Sequence, residues 1–262
     1  MASLFVPLKE SAHAASFREN TLVLPSISVG NVGQLACDLI LYNAKEEFQK
    51  VGYIRSRSII PMVGNDAFDC SGTGNISVGV EVFQSREKKI TIIQQRARFV
   101  LGRTRTFAKE LVAWAKSAGF KQIILLAGAD SGFWNGNEIV YRKCFYTSKS
   151  QEVDTTIFDK LNIERLEAIR ADSIELFKAE ATSPNKMIYP AARAGLLNKL
   201  HEACEDENLD MIGIVLFCKE GHNVDEGLAM ATIANYYANI IPPSDSGEST
   251  TWKAPPSWKA LM

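Results

Sequence analysis

Apolar runs alternate with amphipathic stretches along most of the chain. Residues 21–29 are mostly β-branched or aliphatic and predict a strand, after which Leu35, Ala36, Leu39 and Ile40 recur at helical spacing and predict a helix over 32–44. Between them lies Gly30-Asn31-Val32-Gly33. Two glycines suit a tight reversal followed by close packing of helix on sheet, because glycine has no side chain to clash. Asn31 with Gln34 three residues on has the form of a capping box. The unit therefore reads as strand, glycine turn, helix.

The pattern continues in the same alternation. Residues 52–60 return to strand character and end in a turn at 61–66, and 69–75 is a loop rich in turn formers. Residues 76–83 and 89–95 predict a hairpin whose tip is Arg86-Glu87-Lys88. Phe107, Leu111, Trp114, Ala115 and Ala118 mark an amphipathic helix over 106–118, with Gly119 placed to cap it. Residues 121–128 and 210–218 are continuous apolar runs, the pattern of strands covered on both faces. Another strand is expected over 138–146. Segment 147–186 is polar and reads as an insertion over the core, with helices expected over 158–170 and 174–180. Leu196, Leu197, Leu200 and Cys204 predict a helix over 191–207. Asn223 with Glu226 repeats the capping-box form before a last helix carrying Leu228, Met230, Ala231, Ile233, Ala234 and Tyr237. Alternating strands and helices predict an α/β fold, a layered sheet flanked by helices. Residues 1–241 read as a single α/β domain, and 242–262 as a Pro/Ser linker with a tryptophan-containing tail.

Composition narrows the function classes. The chain has 262 residues, 46% of them apolar and 23% charged, enough for a sizeable core. A net charge of -1 with interspersed signs gives no basic stripe to neutralise a phosphate backbone, so nucleic acid is not expected as a partner. No apolar run approaches the ~18 residues of a membrane helix, and the early charges at Lys9 and Glu10 do not suit a signal peptide. Five scattered cysteines suit reduced thiols inside the cell.

The chemistry-bearing residues are few. Ser131 stands in Gly128-Ala-Asp-Ser131-Gly132, which departs from the nucleophile-elbow pattern and reads as a turn serine. His201, Cys204, Cys218 and His222 have the ligand types of a zinc site, but their spacing does not pair like with like, and both cysteines continue apolar patterns. Only three histidines are present. Gly30 to Gly33 is shorter than a dinucleotide fingerprint, and no Gly-x-x-x-x-Gly-Lys-Ser/Thr loop exists. No catalytic residue, metal or cofactor is assigned. The alternative is a phosphorylase-like enzyme that binds nucleoside or phosphate at the Gly30–Gly33 turn and the 129–137 loop, where α/β sheets usually hold ligands.

The segment Leu24-Pro25-Ser26-Ile27-Ser28-Val29-Gly30-Asn31-Val32-Gly33-Gln34-Leu35-Ala36 resembles the opening signature of the proteasome assembly chaperone 2 family. Later motifs agree in order: Val51-Gly52-Tyr53, residues 61–67, Gln94-Gln95-Arg96, Glu220-Gly221-x-Asn223, and Trp252-Lys253-x-Pro255-x-Ser257-Trp258-Lys259. The resemblance implies a fold similar to nucleoside phosphorylase-like domains without their catalysis. It implies a cytoplasmic and nuclear chaperone that pairs with proteasome assembly chaperone 1 and holds proteasome α-type subunits while the α-ring of the 20S proteasome forms. This chain carries His222 where the family more often has an acidic residue, and Lys259-Ala260-Leu261-Met262 lacks the tyrosine of the docking signal found in this group. Trp252, Trp258, Leu261 and Met262 are the candidate partner-binding residues, because tryptophans are enriched at binding hot spots. The other reading is that both tryptophans pack on their own domain.

Overall fold

The computed structural model describes residues 3–8, 16–69, 75–133, 144–148, 154–173, 175, 185–242 and 250–260. In chain order the elements are β1 (Phe5–Pro7), β2 (Thr21–Pro25), α1 (Val32–Asn43), β3 (Gln49–Ile54), β4 (Val63–Asn65), β5 (Ile76–Val78), β6 (Val80–Ser85) and β7 (Ile90–Gln95). They continue with α2 (Thr104–Ala118), β8 (Gln122–Asp130), β9 (Cys144–Ser148), α3 (Thr156–Lys160), β10 (Glu164–Arg165), β11 (Ile169–Arg170), β12 (Met187–Ile188), α4 (Leu197–Glu207), β13 (Asp210–Cys218) and α5 (Val224–Ala238).

Nine strands form one sheet in the order β1-β3-β6-β7-β2-β8-β13-β9-β10. The central strands β7, β2, β8 and β13 are parallel, with Val23 beside Ile92 on one side and Ile124 on the other. Antiparallel pairs flank them: β6 with β7, β3 with β6, and β9 with β13. The continuous apolar runs resolve into two faces by the two-residue period of a strand. Leu22, Leu24, Ile123, Leu125, Met211, Val215 and Phe217 face one core, shared with Phe107 and Leu111 of α2 and Leu200 of α4. Val23, Ile124, Leu126, Ile212, Ile214 and Leu216 face the other, shared with α1 and α5. The layered α/β architecture expected from the pattern is the one observed.

Several boundaries differ from the sequence expectation for local reasons. The strand expected over 52–60 is β3 followed by a break, because the Ser56 hydroxyl accepts the Ser58 N–H in a turn before Ile59 bridges Phe99. The helix expected over 191–207 begins at Leu197, since Arg193 (φ 58°) and Gly195 (φ 65°) hold left-handed conformations that interrupt it. The helix expected over 158–170 is only the short α3, which ends before the left-handed Asn162 (φ 53°); Glu164 and Arg165 then pair with β9. The helix expected over 174–180 lies outside the described residues apart from Glu175, and the strand expected over 138–146 is described only from Cys144. Strand β1, unread in the sequence, brings Phe5 against Phe17 and Trp114, with ring centroids 5.0 and 6.0 Å away. No helix among the described residues is long and apolar enough to cross a membrane.

Candidate functional site

The carboxyl edge of the parallel strands is where an open α/β sheet offers a ligand site, and the Gly30–Gly33 turn lies there. After β2 the chain is pinned by two hydroxyls. Ser26 Oγ donates to the Ala194 carbonyl at 2.7 Å and accepts the Leu196 N–H at 2.7 Å, while Ser28 Oγ accepts the Gly128 N–H at 3.0 Å. A 3-10 turn, Val29–Asn31, then opens α1. Gly30 has φ 68°, a conformation that glycine alone adopts freely, and a Cβ there would come within 2.5 Å of Asn223 Nδ2. At Gly33 a Cβ would overlap the Leu126 carbonyl, so this glycine sets the distance between α1 and β8.

No capping box forms at either expected place. Asn31 is left-handed (φ 53°), whereas an N-cap side chain works from an extended backbone. Gln34 turns instead to the sheet, donating to the Gln95 carbonyl at 3.0 Å. Asn223 likewise makes no cap bond; its amide donates to the carbonyls of Lys219 and Gly221 at 3.0 Å each.

A phosphate at the start of α1 would need free N–H groups and a positive field. Glu220 accepts the Gly30 N–H at 3.3 Å through Oε2, and its Oε1 accepts from Arg193 Nη2 at 2.8 Å. Arg193 Nη1 also donates to Asp130 at 3.1 Å. Two carboxylates and one guanidinium therefore occupy the place of an anion, and their balance repels phosphate. Asn223 covers the turn from above. Of the four named turn residues, Gly33 and Gln34 pack α1 onto the sheet, Gly30 lies against Asn223, and Asn31 is exposed with its N–H donating to the Ser28 carbonyl at 3.3 Å.

Two side chains near this edge carry nucleophile-type atoms, Cys218 and Ser131. Burial first, then the carboxylates of Glu226, Glu220 and Asp130, push the Cys218 thiol up to about 12, so it is neither a nucleophile nor a thiolate ligand at neutral pH. Ser131 begins a 3-10 turn, Ser131–Phe133, and its buried hydroxyl has no hydrogen-bond partner among the described residues. The four metal-type residues do not converge. Cys204 is buried on the α2–α4 face and Cys218 on the α1–α5 face; His201 meets Tyr189 Oη at 3.0 Å, and His222 is exposed. The 129–137 loop is described only to Phe133.

Gln94-Gln95-Arg96, noted in the sequence only as a motif, proves to lock α1 to β7. Gln94 Nε2 donates to the Gln34 carbonyl at 2.9 Å and to Asp38 at 2.7 Å, and Arg96 donates twice to Asp38 at 3.0 and 2.7 Å. The Phe68 ring lies over this guanidinium, 5.7 Å from its carbon. Burial pulls the Arg96 guanidinium down, but the hydrogen-bonded Asp38 carboxylate and the nearby Glu81 outweigh it and hold it above its ordinary value.

The tail lies on its own domain. Trp252 Nε1 donates to Thr232 Oγ1 at 2.9 Å, and Asn43 exchanges two 2.9 Å bonds with the Lys253 backbone. Trp258 is 2% exposed in the core shared by α1 and α5. Of the two readings of the tryptophans, the structure displays packing; a partner could reach Trp258 only by lifting the tail away. Leu261 and Met262 lie outside the described residues.

Known proteins place this arrangement in a family. Proteasome assembly chaperone 2 of Nematostella vectensis is 32% identical over 244 residues, covering 90% of this chain and 96% of the relative. The protein of the same name from Danio rerio is 30% identical over 254 residues, covering 94% and 93%. Among solved structures, Pyrococcus furiosus PbaA, described as an archaeal homolog of proteasome-assembly chaperone, superposes with a TM-score of 0.60 at 15% identity, covering 88% of this chain and 87% of its own, which shows a shared fold. The model of the PAC2 family matches residues 22–234, from the first buried residue of β2 to within the last turn or two of α5, and the chain belongs to that family.

Proposed function

We propose that this protein is a non-catalytic chaperone of proteasome assembly, acting in cytoplasm and nucleus as a heterodimer with proteasome assembly chaperone 1 and holding α-type subunits while the 20S α-ring forms. The observation that carries the reading is the match to relatives named proteasome assembly chaperone 2 over nine-tenths or more of both chains. A physical argument supports it. The edge where a phosphorylase-like enzyme would bind its anion is filled by Glu220, Arg193, Asp130 and Asn223, and no observation favours the enzymatic alternative.

The test is co-expression with proteasome assembly chaperone 1, followed by light scattering and addition of purified α-type subunits. A one-to-one complex that retains α-subunits supports the proposal. A chain that ignores both, or one that cleaves nucleosides with phosphate and loses that activity on Glu220→Gln, overturns it.

A further inference from the structure

Six of the large hydrophobic side chains exposed among the described residues, Ile60, Met62, Val63, Ile76, Val100 and Leu101, gather at one end of the sheet. Backbone bonds bring them together. The Ile60 N–H donates to the Arg98 carbonyl at 3.0 Å and the Val100 N–H to the Ser58 carbonyl at 2.9 Å, laying 58–60 beside 98–100. In the β4–β5 ribbon Val63 pairs with Val78 and Asn65 with Ile76, so Val63 and Ile76 share a face. Beside the ribbon runs a groove of about 260 Å³ lined by Tyr53, Ile59, Pro61, Met62, Val78 and Val80. Leu101, next in the chain to Val100, is 98% exposed.

Charge decides what fits. Arg55, Arg57, Arg98 and Arg103 are exposed in these same segments, and among the described residues none of the four forms an ion pair. A two-fold pairing of this face with a second copy would set these guanidinium groups against one another. An apolar centre with an arginine rim matches the anatomy of a heterologous interface, where arginine is enriched and complementary charge sets the encounter rate. We infer that this face receives a different protein, presenting apolar side chains flanked by Asp and Glu. The inference rests on the heterodimer proposed above and assigns this face to its second subunit.

The experiment uses the full chain and its co-expressed complex with proteasome assembly chaperone 1. Hydrogen exchange on the wild-type complex should slow by at least about tenfold over 59–63 and 98–103, as amides buried on binding become protected. Arg98→Glu with Arg103→Glu, and separately Leu101→Asp, should weaken the complex by at least about tenfold at an unchanged Tm, the charge pair mainly through a slower, less salt-sensitive association. Tyr236→Asp, an exposed change on α5, should leave binding intact. A complex that forms without protection there, and that ignores both sets of changes, overturns this face while the heterodimer stands. No wild-type complex overturns the heterodimer and this assignment with it. Self-association of the chain alone, abolished by Leu101→Asp, makes the face a homodimer surface and overturns the heterologous partner.

Discussion

The carboxyl edge around Gly30 and the groove beside β4 and β5 have opposite characters. At the edge the chain supplies its own occupants: Glu220 takes the Gly30 N–H, Arg193 bridges Glu220 and Asp130, and Asn223 lies over the turn. On the face around the groove the chain leaves apolar side chains in water and four arginines without an ion pair among the described residues. Closure tightens further along α1, which is tied to β7 by Asp38 and Arg96 and overlaid at its end by the tail. The ligand edge is filled by the chain's own polar groups while an apolar face stays open, and an open apolar face has the surface character of a protein contact.

The largest effect that would sharpen this contrast lies under the tail. Trp258→Ala removes a side chain that is 2% exposed and should destabilise the protein by about 3–5 kcal/mol, the range for large aromatic truncations in cores. Denaturant unfolding reads it directly. A loss below about 1 kcal/mol, with binding of α-type subunits abolished, would move Trp258 from the closed region to the open one. Gly33→Ala should cost about 2–3 kcal/mol, because the new methyl meets the Leu126 carbonyl, a backbone atom that cannot turn aside. An unchanged midpoint would mean that α1 has room to move and that the edge is not closed.

The smaller pH effect comes from buried thiols. Burial, helped by nearby carboxylates at Cys218, moves the Cys218 thiol from 9.0 to about 12; burial moves Cys144 likewise to about 12. Above pH 9 the unfolded chain gives up these protons and the folded one holds them. Their contribution is thus complete below about pH 9 and is lost as pH rises toward about 12. Chemical unfolding measured between pH 8 and 11 should show stability falling, with a shallower fall in Cys218→Ala. An identical slope in the variant would show that the edge admits solvent.

Much of the fold was legible because its cause is local. The run 210–218 coincides with β13, and the helix expected over 32–44 differs from α1 by one residue. Gly119 caps α2 in the left-handed conformation, with φ 80°. The failures have non-local causes. Asn31 and Gln34 satisfy the capping-box pattern, yet a carbonyl 61 residues away claims Gln34. Glu220 is legible only as part of a motif and Arg193 carries no signal of its own, since only the sheet order brings them to Gly30. Ile60, Met62 and Val63 are apolar, but nothing along the chain announces that they stay exposed while neighbouring Ile59 is buried, as the apolar residues of β13 are on both faces. Exposure is decided by which strands have neighbours.

The smallest expected effect tests the open side of the comparison most sharply. Val63 is 64% exposed and Leu101 98% exposed, so replacing them removes little area that folding had taken from water. Val63→Thr keeps a β-branched residue in its ribbon strand, and Leu101→Lys extends a flexible chain into solvent. Each should leave the isolated protein within about 0.5 kcal/mol of the wild type, the usual range for surface changes. Both should lower its tendency to aggregate, because the apolar patch shrinks. The contrast with Gly33→Ala is then one of kind: an added methyl is costly at the filled edge, while the loss of an entire leucine side chain is nearly free on the open face. Should Leu101→Lys instead cost as much as about 2 kcal/mol, the patch would be covered in solution by another part of the same chain, and the two regions would differ only in what closes them.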